Sequence, residues 1–280
     1  MGISPTRADT PGTVETWIVA LGAGDGTVAA GGGPDGEPDD EPGDQPGWWW
    51  DLLDDEERAR AAAWRRPADR LRFVARHVAL RVILAEHLGV APADVAFDRA
   101  PCPLCGGPHG RPVVRDRDDL HFSLSSTGDR AAVAVAPMPV GLDVEAVGRA
   151  SADDLAAALD PVEQAAVAAL TEPARSRAAL RCWARKEALL KGRGTGLGID
   201  PDAVHVGVGP PARAPRPDGW VLADVPGPPD LVAAVAYRSP TVLEVELRAL
   251  RLRPADPAPG RGDRLDDLRH RVRAARAAHC

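Results

Sequence analysis

The chain has 280 residues and a formal net charge of −7, with 27% charged and only 4% aromatic residues. That length supports a sizeable core, as one large domain or two small ones, while the acidic balance argues against bulk electrostatic binding to nucleic acid. No apolar run approaches the ~18–20 residues of a membrane span, the N-terminal MGISPTRADTPG has no basic region leading into an apolar stretch, and four cysteines are too few for a disulfide scaffold. The expectation is a chain of the reducing cytoplasm, with neither a nucleic-acid nor a membrane partner.

After a disordered start, residues 13–21 (TVETWIVAL) predict a first strand. Residues 22–47 are almost entirely Gly, Pro, Asp, Glu and Ala, an acidic insertion that cannot bury a core and carries no chemistry. Of Trp48, Trp49 and Trp50, one or two are expected to start the packing of the next helix, ahead of forming an exposed partner patch. Asp54, Asp55, Glu56 and Glu57 suit a first helical turn, with helix to Trp64. A second helix spans 68–88, stopped by Gly89, with Phe73, His77, Leu80, Leu84 and Leu88 as its core stripe. The arginines of this region, Arg60 and Arg72 among them, form mostly a solvated face that also offers phosphate contacts.

Residues 101–112 read PCPLCGGPHGRP. Cys102-x-x-Cys105 with His109 invites a zinc reading, but a structural site takes four ligands, and Cys182 and Cys280 lie far away in sequence. A turn shaped by Gly and Pro is the preferred reading, with Arg111 the better candidate for function. Residues 120–127 and 130–136 predict a hairpin around a Ser/Thr-Gly-Asp turn, and 140–144 another strand. Leu142 and Val144 then point to one face, and Asp143 and Glu145 to the other, about 6–7 Å apart. Asp160-Pro-Val-Glu163 starts a helix; a longer helix covers 174–192. Residues 204–208, 220–223, 231–237 and 242–247 predict strands, and 263–278 a peripheral Arg-rich helix. The pattern is α+β: a loosely repeated plan of helices packed on a small, largely antiparallel sheet. It divides into subdomains 13–139 and 140–250, followed by a linker and tail over 251–280.

On the longer helix Trp183, Glu187 and Lys191 share one face at four-residue steps. Alone, Glu187 and Lys191 would read as a surface ion pair, and Asp143 and Glu145 as an exposed strand edge. Their co-occurrence, with the basic Gly-punctuated run Lys191-Gly-Arg-Gly-Thr-Gly196 right after the helix, points instead to Mg²⁺ held against a pyrophosphate. Mg²⁺ takes a few protein carboxylates and completes its shell with water and phosphate oxygens. Lys191 would neutralise phosphate charge as a point cation.

Gly141-Leu-Asp-Val-Glu145 followed by Trp183-Ala-Arg-Lys-Glu-Ala-Leu-Leu-Lys191 resembles the paired signatures of the Sfp-type 4′-phosphopantetheinyl transferases, (V/I)-G-x-D-x-E and W-x-x-K-E-(A/S)-x-x-K. The likeness extends to Gly110-Arg111-Pro112, to Phe122-Ser-Leu-Ser125 and to the Asp160 helix start, and covers about residues 14–247. The resemblance implies transfer of the phosphopantetheine arm of coenzyme A to a serine of an apo acyl or peptidyl carrier protein, releasing 3′,5′-ADP. It further implies a monomer with two similar subdomains related by a pseudo-twofold and coenzyme A bound between them. Asp143, Glu145 and Glu187 become ligands of Mg²⁺, or of Mn²⁺; Lys191 contacts phosphate, and Glu187 is the base for the incoming serine. Arg111, Ser125 and Ser126 fall at the nucleotide end, with Arg60 and Arg72 assigned by helix position. Ser126 stands where the family usually has histidine, so a charge-capable donor is lost there, and Phe73 stands where some relatives have a polar residue. The length points to polyketide synthase or peptide synthetase carriers. The rivals are another Mg²⁺-dependent phosphoester enzyme, against which the absence of a G-x-x-x-x-G-K-[ST] loop counts, and a catalytically weakened relative that only binds carriers.

Overall fold

The computed structural model describes residues 12–21, 48–209 and 216–252. In chain order, strand β1 (Thr13–Leu21) is followed by helices α1 (Trp48–Asp51), α2 (Asp55–Ala62) and α3 (Pro67–Leu88). Strands β2 (Phe97–Arg99), β3 (Pro112–Val114), β4 (His121–Thr127), β5 (Arg130–Ala136) and β6 (Val140–Ala146) come next. Then come α4 (Ala152–Leu155), α5 (Pro161–Ala168), α6 (Ala174–Arg193), β7 (Trp220–Val225), β8 (Leu231–Arg238) and β9 (Glu244–Leu252). The mixture of helices and small antiparallel sheets is the α+β class expected. Among the described residues, no helix is long and apolar enough to cross a membrane. The acidic insertion and the expected tail helix lie outside the described residues.

Two compact units divide the chain: residues up to Ile18 with Ala96–Ala249, and Val19–Val95 with the residues from Leu250 on. In the first, a three-stranded antiparallel sheet has the order β6-β8-β7. Its strands alternate as half-buried strands do, except that here both faces are covered. Val232, Ala234 and Ala236 of β8 pack with α6, while Ala233, Val235 and Tyr237 pack with Val14, Ile18 and the alanines of β5. Leu142 and Val144 belong to the second cluster. Period two therefore places Asp143 and Glu145 on the helix side. The antiparallel β4–β5 hairpin turns at Gly128 and Asp129, with Gly128 at φ +53°. Thr13–Ile18 of β1 and Glu244–Ala249 of β9 continue that hairpin into a sheet of order β4-β5-β1-β9.

Two glycines let α6 lie close against β6. A Cβ on Gly141 would stand 1.9 Å from the Ala188 carbonyl oxygen, and one on Gly192 would stand 2.5 Å from the Trp220 ring. The helix does not stop at Gly192 as expected. It runs on to Arg193, and Gly194, left-handed at φ 77°, caps it. The strand expected over 204–208 is also corrected. Val204 and Val206 are buried there, but side chains take the backbone groups that a ladder would need. Val206 N–H and Gly207 N–H donate to Glu163 Oε1 (2.7 and 2.9 Å), Lys186 Nζ donates to the Val204 carbonyl, and Arg185 Nη1 donates to that of Gly207 (2.7 Å). The helix at Asp160 starts as read, with a reciprocal capping box between Asp160 and Glu163.

In the second unit, Asp54 caps α2 through the same kind of box with Glu57. Arg81, fully buried on α3, donates to Glu57 Oε2 and Asp54 Oδ2 (2.7 Å each) and to the Val95 carbonyl (2.9 Å). Helix α3 is buried on almost every side from Phe73 to Ala85, beyond the single stripe expected, and Gly89 ends it at φ 68°. Trp49 is wholly buried, which bears out the packing reading for at least one of the three tryptophans.

Candidate active site

Asp143 sits on β6, almost fully buried, in register with Ala234. Its Oδ1 accepts a hydrogen bond from Ser125 Oγ at 2.7 Å and an ion pair from Lys191 Nζ at 2.6 Å; Lys191 also donates to Ser125 Oγ at 3.1 Å. Its Oδ2 is buried and has no hydrogen-bond partner. Two residues further along β6, Glu145 Oε1 accepts from the indole N–H of Trp183 at 3.1 Å. Glu187, between Trp183 and Lys191 on α6, has its Oε1 buried and unpartnered. The helix face read from the four-residue spacing is thus the face turned to β6.

Burial raises the Glu145 carboxyl above its ordinary range, and the Asp143 charge adds to this; the Trp183 hydrogen bond and Lys191 oppose it. Burial likewise raises Glu187, against Lys191 and with the repulsion of Asp143 and Glu145. Three acids in one half-buried place, with one lysine between them, leave negative charge uncompensated. The set is more open than the two groups whose ligand atoms close to within 4.8 Å of one another, Cys102–Cys105–His109 and Asp160–Glu163–His205.

Arg111 precedes β3. Its Nη2 lies 3.0 Å from His121 Nδ1, while its Nη1 is buried without a partner. Gly194 lies beneath it, with room for a Cβ only 3.5 Å from the Arg111 side chain. Burial lowers the arginine's affinity for its proton, so an anion beside the free Nη1 would offset a real desolvation cost. Ser126 follows on β4, opposite Ala131. Arg60 and Arg72 belong to the second unit, where Arg72 pairs with Asp69 at 3.0 Å and Arg60 stands over the Phe73 ring.

Three contributions were not read from the sequence. Lys186, inside the W-A-R-K-E stretch, never reaches the acids: it is wholly buried and pairs with Glu163 at 2.7 Å. Arg185 beside it grips Asp224 through Nε and Nη2 (2.8 and 3.0 Å). Trp183 positions Glu145 and is more than a packing residue. The cationic and aromatic character of the stretch was visible, but the acidic partners lie 23 to 39 residues away in the chain, and no local spacing marks them.

Residues 139–214, which include β6 and α6, match the model of the 4′-phosphopantetheinyl transferase superfamily. The 4′-phosphopantetheinyl transferase HetI of Nostoc sp. (strain PCC 7120 / SAG 25.82 / UTEX 2576) is 31% identical over 192 residues, 66% of this chain and 78% of HetI. The chain belongs to the 4′-phosphopantetheinyl transferase family. The transferase psf-1 of Bacillus pumilus is 31% identical over 149 residues, 51% of this chain and 58% of psf-1. Sfp of Bacillus subtilis (strain 168) is 24% identical over 175 residues, 62% and 72% of the two chains. The enzyme class is therefore that of a 4′-phosphopantetheinyl transferase.

Proposed function

We propose that this transferase moves the 4′-phosphopantetheine arm of coenzyme A to a serine hydroxyl of an apo acyl or peptidyl carrier protein in a Mg²⁺-dependent reaction that releases 3′,5′-ADP. The observation that carries the reading is the pair of buried, unpartnered carboxylate oxygens, Asp143 Oδ2 and Glu187 Oε1, beside a third acid. Hard cations take oxygen ligands of this kind, so the residues fit the ion, and Asp143, Glu145 and Glu187 would hold Mg²⁺ or Mn²⁺. When bound, the cation supplies Lewis-acid stabilisation of the charge that gathers on the diphosphate.

The chain's own groups divide the remaining work. A serine hydroxyl is a weak nucleophile without a base; Glu187, raised by burial, takes its proton directly or through a water. The serine oxygen attacks the phosphorus bonded to the pantetheine oxygen, and the bond from that phosphorus to the oxygen shared with the ADP portion breaks. Lys191, flexible and partly exposed, turns from Asp143 to the phosphates as a point cation. Arg111 offers its free Nη1 to the nucleotide end, with Ser125 and Ser126 on β4; Arg60 and Arg72 are assigned to coenzyme A by the family likeness of their helix positions alone. Ser126 brings no charge where the family's histidine would, so more of the phosphate attraction falls on Arg111. Two similar subdomains over 13–139 and 140–250, a monomeric state, a cytoplasmic setting and carriers of polyketide or peptide synthesis belong to the same reading.

The test incubates the full chain with coenzyme A, Mg²⁺ and a panel of apo carrier domains. Carrier mass and 3′,5′-ADP are followed together. The expected result is one phosphopantetheine mass added per 3′,5′-ADP released, stopped by a chelator and restored by Mg²⁺. Carriers that bind the protein and keep their apo mass would instead favour the binding-only relative.

A further inference from the structure

The loop from Ala100 to Arg111 joins β2 to β3, which pair antiparallel from Phe97 opposite Val114 to Arg99 opposite Pro112. A connection this long between three-residue strands is unusual for a hairpin, and it is folded around a definite centre. Cys102, Cys105 and His109 bring their ligand atoms within 4.8 Å of one another, with Cys105 Sγ 3.0 Å from His109 Nε2. Tetrahedral zinc with sulfur at ~2.3 Å and nitrogen at ~2.0 Å sets its ligand atoms about 3.3–3.8 Å apart. Shifts within an ångström or so therefore reach that geometry.

The backbone is arranged for the cluster. Cys102 N–H donates to the Gly107 carbonyl and Gly106 N–H to the Cys102 carbonyl, both at 2.7 Å, and Gly106 takes φ +74°. A Cβ on Gly107 would press on His109 Cδ2 (3.1 Å) and Nε2 (3.2 Å) and on Cys105 Sγ (3.4 Å), so this position must be bare for the ligands to meet. A Cβ on Gly110 would strike the Ala100 carbonyl at 2.4 Å. The backbone N–H groups of Leu104 and Cys105 turn toward the Cys102 sulfur. Cys182 is the contrast: it is buried in the first unit's core, its thiol donates to the Gly207 carbonyl at 3.4 Å, and burial pushes it up to about 12.

We propose that Cys102, Cys105 and His109 bind one zinc ion, and that the ion clamps the loop leading directly into Arg111. Soft thiolates with an imidazole select zinc over the hard cation of the carboxylate site. Cys105 and His109 are exposed, so the fourth position faces solvent and is filled by water. The spacing C-x-x-C-x-x-x-H, short of four ligands, gave the sequence reading its preference for a plain turn; the fold supplies the convergence that the spacing lacked. The clamp also holds Leu104 over Gly198, where a Cβ would lie 2.7 Å from Leu104 Cδ1, tying the loop to the turn that follows α6.

The test needs no transferase activity, so it stands or falls apart from the proposed reaction. The full chain is purified under reducing conditions without chelator, its zinc is measured, and the apo form is titrated with Co²⁺. About one zinc per chain and a thiolate-to-cobalt charge-transfer band are expected. Both should fall at least about tenfold in Cys105→Ser and in His109→Ala, two exposed positions whose variants should keep the wild-type circular dichroism. Hydrogen exchange at Cys102 and Gly106 should quicken when a chelator removes the ion. A wild type that carries no zinc and gives no charge-transfer band, or zinc retained in the Cys105→Ser/His109→Ala double variant, would overturn the proposal.

Discussion

At the scale of single residues, the candidate site is a problem in where negative charge goes. Asp143 has one oxygen doubly satisfied and the other with no partner, and Glu187 also has a buried oxygen left over. Glu145 is held by a single neutral donor, the Trp183 indole. Trp183→Phe keeps the ring volume and removes that donor. A hydrogen bond to a charged group contributes ~1.5–3 kcal/mol, so transfer at limiting Mg²⁺ should fall by about ten- to a hundredfold, with much of the loss recovered at high Mg²⁺. A rate measured across a Mg²⁺ titration checks this; an unchanged Mg²⁺ dependence would remove Trp183 from the site. The residue scale is also where the sequence was most informative about chemistry. Strand alternation and the four-residue helix spacing placed Asp143, Glu145, Glu187 and Lys191 on the faces they occupy. Neither rule could pair Ser125 with Asp143 or Trp183 with Glu145, because those contacts join separate elements.

At the scale of elements, helix α6 owes its position to groups that do no chemistry. Gly141 allows its backbone to approach β6, and Lys186 anchors it through Glu163 and two carbonyls of the segment after it. Gly141→Ala forces a Cβ into the Ala188 carbonyl, and such overpacking costs about 1–3 kcal/mol or more. The transfer rate should drop with it, because the helix carrying Glu187 moves off the strand carrying Asp143. Lys186→Ala leaves Glu163 buried without its cation, a loss of ~3–5 kcal/mol, so Tm should fall on the order of 10 °C. Thermal unfolding of both variants is the check; a Lys186→Ala protein of unchanged Tm would contradict the anchoring role. In α3, His77 stacks on Phe73 with ring centroids 4.0 Å apart, and burial lowers its pKa from 6.5 to about 4. Arg76, Arg60 and Arg81 also disfavour its charge, and the Phe73 carbonyl opposes them. A depressed folded pKa means that His77's contribution is whole above the unfolded value and is lost as pH falls toward the folded one. Between pH 7 and pH 4 the wild type should lose on the order of 3 kcal/mol more than His77→Leu, as read by urea unfolding at the two pH values. The element scale also shows where local rules fail. Residues 204–208 alternate like a strand, yet their backbone groups are claimed by Glu163, Lys186 and Arg185, and tertiary partners override the pattern. The three-residue strands β2 and β3 lack the length for any periodic signal.

At the scale of the molecule, the strands and helices with the clearest period were legible: β1, the β4–β5 hairpin, β6, β8 and α3 all lie where their patterns put them, to within a few residues. The α+β class followed from that order. What the sequence alone left open was which side chains converge. The Cys102–His109 loop is the plainest case, since its three ligands gather only once the β2–β3 hairpin closes on glycines. The proposed function depends on three acids from a strand and a distant helix acting together on one divalent ion in a phosphopantetheinyl transfer. Its most direct measurement is the transfer rate of Asp143→Ala, Glu145→Ala and Glu187→Ala, each folded as the wild type, at saturating coenzyme A and carrier. Losing a ligand that stabilises charge by several kcal/mol predicts a drop on the order of a thousandfold for Asp143→Ala and Glu187→Ala. Glu145→Ala should fall in the same direction, and Mg²⁺ should raise the Tm of the wild type but of none of the three. Transfer at the wild-type rate in Asp143→Ala or Glu187→Ala would rule out a shared ion at these acids.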